Sequence, residues 1–273
     1  MNLHPLRDIT DHEIRTFEED GVVLLQRMFD DDWIEHLGAA IDANMDDPGP
    51  LVLEYADEQT GGRYHGDMFL WRRGQGFRDF VFDSPAAEIA ANMMGSSKVS
   101  FFYDQLLVKE PGTNAPTPWH PDEPYWAVKG WQVCSLWLPI DPVTPDSGGM
   151  QYVRGSHKWP TKYRAQSFTG DDRYKDPDRI PVPPIEEMAE PADIVTFGNM
   201  SPGDVLVHHM NVMHGSPGNL SATHRRRALA TRWTGDDAIY DPTPYTFQLI
   251  EDPGIQPGAG MSCDLFPPVW PRD

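Results

Sequence analysis

Cysteine is nearly missing from this chain: 273 residues contain only Cys134 and Cys263. Neither the number nor the spacing suits a disulfide framework or a zinc knuckle, so both are expected as reduced thiols. Long apolar runs are absent too. No stretch reaches the roughly 18 consecutive apolar residues of a membrane span, and the opening MNLHPLRDIT lacks the apolar segment of a secretory signal. The closing PVWPRD is not a peroxisomal address. These absences predict a cytoplasmic protein with no membrane partner. Positive charge is scarce: 22 Lys and Arg face 42 Asp and Glu, a net charge of −20. Nucleic-acid binders need a basic face that displaces counterions, so DNA and RNA are excluded as partners. The same field opposes polyanionic esters, and Arg225, Arg226 and Arg227 form the only dense basic run.

Aromatic residues are plentiful, with 12 Phe, 9 Trp and 9 Tyr, and 39% of the chain is hydrophobic. That composition belongs to a folded globular protein, and the length predicts one domain spanning residues 1–273. ITDHEIRTFEEDG reads as a capped helix ending at Gly21, VVLLQRMF as a buried strand, and DDDWIEHLGAAIDANM as a second helix burying Trp33, Leu37 and Ile41. SPAAEIAANMMG reads as a further short helix. From residue 98 the pattern turns to short β runs: KVSFFYDQLLVKE, WQVCSLWLPI, GGMQYVRG, ADIVTFGN, GDVLVHH and RRALATRW. A helical buttress over about residues 8–95, a β core over about 98–235 and an extended proline-bearing tail predict a mainly β fold, a sandwich or jelly roll with flanking helices.

Within TPWHPDEPYW, His120 and Asp122 are two residues apart. In a strand, i and i+2 share a face, so both side chains can reach one metal while Pro121 points away. His65-Gly66-Asp67 has the same spacing but follows a glycine pair, and is read as a loop with a structural role. A ferrous site that activates oxygen uses two histidines and one carboxylate and leaves positions open for other ligands. The distant histidine is expected at His214, which ends a β run before a Gly-Ser-Pro-Gly turn. Its rivals are the adjacent His208 and His209, one expected in the core and one at the surface, either able to support a ligand by a hydrogen bond.

Taken together, FEEDGVVLLQRMF, YDQLLVKEPGT, WHPDEPYW, DSGGMQYVRGSHKW, GDVLVHH and HGSPGN followed by RRALATRW resemble the phytanoyl-CoA dioxygenase family of iron(II)/2-oxoglutarate oxygenases over about residues 8–235. The resemblance implies a double-stranded β-helix, cupin-like, with Fe(II) bound by His120, Asp122 and His214. It also implies 2-oxoglutarate as cosubstrate, O2 as oxidant, and a small molecule as the substrate. An arginine should clamp the far carboxylate of 2-oxoglutarate by a two-pronged contact. Spacing from the distal histidine selects Arg225; spacing from the strand-ending Trp233 selects Arg226. A loop absorbs an extra residue more readily than a β ladder, which favours Arg226. Ser216 matches a hydroxyl that touches the same carboxylate, Trp126 an aromatic pocket wall, and Gln105 a polar contact beside the cosubstrate, although Leu107 departs from the family pattern on that face. Gly155, Ser156 and His157 match a structural turn.

The activity implied is hydroxylation of an unactivated C–H bond with release of succinate and CO2. An aspartate at position 122, where halogenating relatives lack a carboxylate, disfavours halogenation. Two other readings of the residues stay open: a non-catalytic jelly-roll protein that binds metal or a small ligand, and a metal-dependent hydrolase or isomerase. Residues 63–77 and 157–179 are expected as loops at the mouth of the site.

Overall fold

The architecture is that of a computed structural model, which describes residues 1–56, 62–166 and 174–272. Helices α1 (Asp11–Asp20) and α2 (Asp31–Asp46) bracket strand β1 (Val22–Leu25). Strands β2 (Leu53–Ala56) and β3 (Arg63–Met68) follow, then α3 (Gln75–Asp83) and α4 (Ala86–Met94). The β region holds β4 (Val99–Lys109), β5 (Thr117–His120), β6 (Val128–Lys129), β7 (Val133–Pro139) and β8 (Met150–Val153). It continues through β9 (Ile194–Phe197), β10 (Val205–His209), β11 (His214–Ser216) and β12 (Arg226–Thr234). Two short strands, β13 (Ile239–Tyr240) and β14 (Pro268–Trp270), lie in the tail.

Local chemistry sets the helix ends. Thr10 and Glu13 form a reciprocal capping box: the Thr10 hydroxyl accepts from the Glu13 N–H at 3.2 Å, and the Glu13 carboxylate accepts from the Thr10 N–H at 2.8 Å. Gly21 closes α1 at φ +79°, and a Cβ there would fall 2.4 Å from His157 Nδ1, so the Gly-Ser-His turn packs directly on the helix end. Asp30 caps α2, whose Trp33, Leu37 and Ile41 are fully buried.

The large sheet runs β1-β10-β7-β12-β4-β3-β2 with β14 added at β4, and the small sheet runs β5-β11-β8-β9; every pairing is antiparallel. Alternation along the central strands sends Leu106, Val108, Leu136, Leu138, Val205, Val207 and Leu229 to one face, where they pack against Trp33, Leu37, Phe80 and Ile89 of the helices. The opposite face meets the small sheet, with Trp137, Leu206, Ala228 and Ala230 packed on Met150 and Tyr152. This is a jelly roll buttressed on one side by helices, with the site between the sheets. A third, aromatic cluster joins Phe69, Phe102, Tyr103 and Trp126 to Phe266 and the tail, which wraps that end.

The structure departs from the sequence reading in the first hundred residues. His65-Gly66-Asp67 is not a loop: it is central to β3 and wholly buried, with Asp67 Oδ2 accepting from the Gly49 N–H at 2.6 Å and the Asn44 amide at 2.9 Å. Residues 63–77 are therefore a strand, a 3-10 turn and the start of α3, not one mouth loop. Of the second expected mouth loop, residues 167–173 lie outside the described residues. No helix among the described residues is long and apolar enough to cross a membrane.

Close approach of the neighbouring strands β8 and β9 in the small sheet makes one glycine critical. A Cβ on Gly149 would fall 2.4 Å from the Phe197 carbonyl oxygen, at the start of β8, the strand that carries Tyr152. Gly149→Ala should cost about 1–3 kcal/mol, lowering the thermal midpoint by several degrees, because backbone must move to admit the methyl. An unchanged melting curve would contradict this packing.

Candidate metal centre and its flanking arginines

His120 ends β5 and His214 opens β11, and the two are cross-strand partners. Their side chains leave the same face, with ring centroids 4.3 Å apart. Each ring is fastened by its own chain: His120 Nδ1 lies 2.7 Å from the Pro118 carbonyl, and His214 Nδ1 lies 3.0 Å from the Val212 carbonyl. A carbonyl only accepts, so Nδ1 carries the proton and Nε2 keeps its lone pair. Both Nε2 atoms stand 3.9 Å from Asp122 Oδ1, and one donor atom from each of the three residues lies within 4.8 Å of the others.

Asp122 reaches this point by a route the strand periodicity does not describe. β5 stops at His120, and Asp122 adopts φ −77°, ψ −32°, leading into a 3-10 turn over Glu123–Tyr125. Its N–H donates to the Met210 carbonyl at 2.9 Å, which ties the turn to the segment before His214. On the carboxylate, Oδ2 accepts from the Ser135 hydroxyl at 3.1 Å and lies 3.4 Å from His208 Nε2. The Tyr152 hydroxyl is 3.1 Å from His208 Nδ1. Donation by that hydroxyl leaves the His208 Nε2–H directed at Asp122, and Oδ1 turned toward the two histidines.

Both His208 and His209 are buried, contrary to the expectation of one in the core and one at the surface. β10 is covered on both faces, so each of its alternating positions is interior. His208 supports Asp122. His209 faces the other way, its ring centroid 4.3 Å from that of Trp131, with its Nε2 2.9 Å from the Trp131 carbonyl.

Electrostatics set the protonation states. Burial pushes His120 down to about 3, with His214 as the next cause, and burial pushes His214 down to about 4. Burial alone would raise Asp122, but the His208 hydrogen bond and the nearby His214 and Arg232 hold it below the ordinary carboxylate range. Two neutral imidazoles and one carboxylate are the protonation states a divalent metal requires.

The three consecutive arginines separate by alternation. Arg225 turns outward and pairs with Glu110 at 2.7 Å and Asp42 at 3.4 Å, so it is not brought to the site. Arg227 likewise pairs with Asp141 at 2.8 Å. Arg226 points between the sheets over the Trp137 ring, and its Nε and Nη1 are buried without a partner. Burial lowers its pKa to about 10, so it remains charged at neutral pH. Its cross-strand partner is Lys109, a residue the sequence reading missed. The Lys109 ammonium is buried and donates to Ser216 Oγ at 3.1 Å and to the Pro217 carbonyl at 2.7 Å. Burial, then the charge of Arg226, lowers Lys109 well below the usual lysine range. Arg226, Lys109 and Ser216 thus form one cationic end of the inner face.

Gln105 and Trp126 gather elsewhere. Gln105 Oε1 accepts from Arg232 Nη2 at 2.8 Å, and the Arg232 guanidinium lies 4.6 Å from the Tyr103 ring and 6.0 Å from the Trp126 ring. Trp126 Nε1 donates to the Tyr103 hydroxyl at 2.8 Å. Arg232 was also missed, although Arg226 and Arg232 share a strand face by the same period-two pattern that picks out Arg226.

The chain matches the profile of the phytanoyl-CoA dioxygenase (PhyH) family over residues 17–228. It is 24% identical over 232 residues to the ectoine dioxygenase of Sphingopyxis alaskensis, covering 81% of this chain and 74% of that protein. Among solved structures, it is similar to the non-heme alpha-ketoglutarate-dependent carbocyclase SnoK of nogalamycin biosynthesis, with a TM-score of 0.76 and 21% identity over 98% of this chain and 100% of that one. It is also similar to the epimerase SnoN in complex with Fe3+, alpha-ketoglutarate and nogalamycin RO, with a TM-score of 0.74 and 18% identity over 95% and 98% of the respective chains.

The depressed histidines fix how stability of the metal-free protein depends on pH. His120, His209 and His214 have folded-state values of about 3, about 3 and about 4, against 6.5 ordinarily. Between those limits the unfolded chain binds more protons, so stability is complete above pH 6.5 and falls as pH drops toward 4. The thermal midpoint of the apoprotein should decline through that window with unfolding linked to net uptake of roughly two protons, because Asp104, which burial raises to about 7 in the folded chain, releases one as the three histidines bind theirs. A midpoint independent of pH from 7 to 4 would contradict the buried, neutral assignment.

Proposed function

The chain belongs to the phytanoyl-CoA dioxygenase family, and on that premise we propose that it is a single-domain oxygenase hydroxylating an unactivated C–H bond of a small molecule, with Fe(II) held by His120, Asp122 and His214. The observation that carries this reading is the joint presence of two lone-pair Nε2 atoms facing a carboxylate oxygen and a buried, partly unpartnered arginine further along the same cavity wall. A hydrolytic metal site has no need of that arginine. A cosubstrate dicarboxylate does, because a buried guanidinium with orphaned N–H groups is costly until an anion satisfies it.

The donor set fits ferrous iron: three ligands of this type leave positions open for 2-oxoglutarate and oxygen. When bound, iron and 2-oxoglutarate supply the oxidising chemistry, with succinate and CO2 as coproducts. The protein's own residues do the positioning. Pro118 and Val212 carbonyls hold both imidazoles in the tautomer that presents Nε2. Ser135 and His208 occupy one oxygen of Asp122 and leave the other for metal. Arg226, with its planar fork above Trp137, would take the far carboxylate of 2-oxoglutarate, and Lys109 and Ser216 would complete that end. An incoming carboxylate would favour the charged form of Lys109, opposing the burial that lowers it. The enclosing sheets exclude water from the reacting carbon.

The relatives differ in outcome, since SnoK is a carbocyclase and SnoN an epimerase. Hydroxylation is favoured over halogenation for this chain because an aspartate occupies the carboxylate position, where loss of the carboxylate would open a site for halide.

Asp122→Ala should lower iron-dependent succinate formation at least about 100-fold, read by coupled assay under air with and without Fe(II). Arg226→Ala should raise the KM for 2-oxoglutarate on the order of 30-fold or more, as expected for truncating a buried charge-assisted contact, while Arg225→Ala stays within about threefold of the parent. The reverse order of the two arginine variants would overturn the register assigned to β12. Succinate formation sustained by Zn(II) in place of iron would overturn the oxygenase reading itself.

A further inference from the structure

The inner face of β12 carries two arginines, and only one is accounted for by the cosubstrate. Arg226, Ala228, Ala230 and Arg232 alternate toward the cavity, so the guanidinium-bearing positions stand six residues apart, about 20 Å along the strand. The two positions between them are the small residues Ala228 and Ala230. In the transverse row containing Arg232, the cross-strand partners are Ser135 on one side and Tyr103 on the other, and His208 lies beyond Ser135. Ser135 and His208 are the residues that touch Asp122. Arg232 therefore stands between the metal centre and the aromatic cluster of Tyr103, Trp126 and Phe69.

Arg232 is 5% exposed, and the two buried acids whose charge it feels, Asp122 and Asp104, both stand beyond ion-pair distance. Its Nη1 donates to the Ala230 carbonyl at 3.0 Å and its Nη2 to Gln105 Oε1 at 2.8 Å, both neutral acceptors. Its Nε is buried with no partner. No carboxylate among the described residues comes within ion-pair distance of it. The two nearby acids are committed elsewhere: Asp122 to Ser135 and His208, and Asp104 to the Leu70 and Trp71 N–H groups at 2.7 and 2.9 Å. A guanidinium has five donors in a fixed fork, so two neutral hydrogen bonds leave most of its capacity unused. In a chain of net charge −20, carboxylates are abundant, yet none among the described residues forms an ion pair with Arg232. A buried charge left this way is a substantial penalty that an anionic ligand would relieve.

We propose that Arg232, oriented by Gln105 and standing beside the Tyr103 and Trp126 rings, is the specificity-determining residue for the primary substrate, and that this substrate carries a carboxylate on an apolar or aromatic body. The inference rests on the oxygenase reading, in which Arg226 and Lys109 serve the cosubstrate and Arg232 is left for a second acid. The Tyr103 ring lies 4.6 Å and the Trp126 ring 6.0 Å from the guanidinium, which places aromatic surface beside the charge for an apolar body, and its fixed fork of donors suits a planar carboxylate over a neutral amide. A carboxylate docked there would hold the adjacent carbons beside the metal centre through the row it shares with Ser135.

Matched acid and amide probes separate this proposal from the reading beneath it. The full chain with Fe(II) under nitrogen is first titrated with 2-oxoglutarate by differential scanning fluorimetry; stabilisation lost in Arg226→Gln tests the cosubstrate assignment alone. With 2-oxoglutarate saturating, 3-phenylpropanoate and cyclohexanecarboxylate are then titrated beside their primary amides. At least one acid is expected to bind the parent protein tenfold or more tightly than its amide, with Arg232→Gln abolishing the preference and Arg232→Lys retaining part of it. The acid-to-amide comparison needs no variant, so a folding defect in Arg232→Gln leaves the test intact. Equal binding of acid and amide, or binding of neither, would overturn the proposal. So would loss of 2-oxoglutarate stabilisation in Arg232→Lys, which would place Arg232 with the cosubstrate.

Discussion

The direct pairing of His120 with His214 across two antiparallel strands is the constraint on which the rest of the site depends. Strand pairing fixes the separation of the Cα atoms, and the two carbonyls of Pro118 and Val212 fix the ring orientations. A one-residue slip would carry His214 to the other face and dismantle the site at once. The register is held from both sides: β11 is sandwiched between β5 and β8, and the Ser156 hydroxyl accepts from the Met213 N–H at 2.8 Å, immediately before His214. The Gly-Ser-His turn that packs under α1 thereby acts on the metal centre through the backbone.

Charge is distributed in opposite senses inside and out. The surface carries the net −20, while the inner face of the large sheet holds Arg226, Lys109 and Arg232 in buried positions. Screening limits the reach of the outer charge to about 8 Å at physiological ionic strength, so the cavity is governed by its own three cations. Arg226 and Arg232 each keep a buried N–H group without a partner among the described residues, which lowers the stability of the empty protein.

Much of this was legible in the sequence because it rests on short-range rules. The six strands read from GGMQYVRG, RRALATRW and their neighbours are where period-two alternation is clean, and the capping residues Thr10 and Asp30 mark two helices unambiguously. The separation of Arg225 from Arg226 followed from register, since outward positions find Glu110 and Asp42 while the inward one finds no acid. β3 was hidden because Gly62 and Gly66 signal a turn, whereas Gly66 lies in a strand so close to β4 that a Cβ would sit 3.3 Å from the Leu106 carbonyl. The 3-10 turn at Asp122 was hidden by the His-x-Asp spacing, which a strand satisfies equally well. Lys109 and the Tyr152–His208 support depend on contacts between distant segments, which no local pattern encodes, whereas Arg232 was within reach of the alternation along β12.

A crystal structure of the protein with Mn(II) in place of iron and 2-oxoglutarate bound tests the central claim most directly. The account requires one metal, bonded to His120 Nε2, Asp122 Oδ1 and His214 Nε2, chelated by the cosubstrate whose far carboxylate meets Arg226. A metal held by other residues, or a cosubstrate carboxylate resting on Arg225 at the surface, would contradict it.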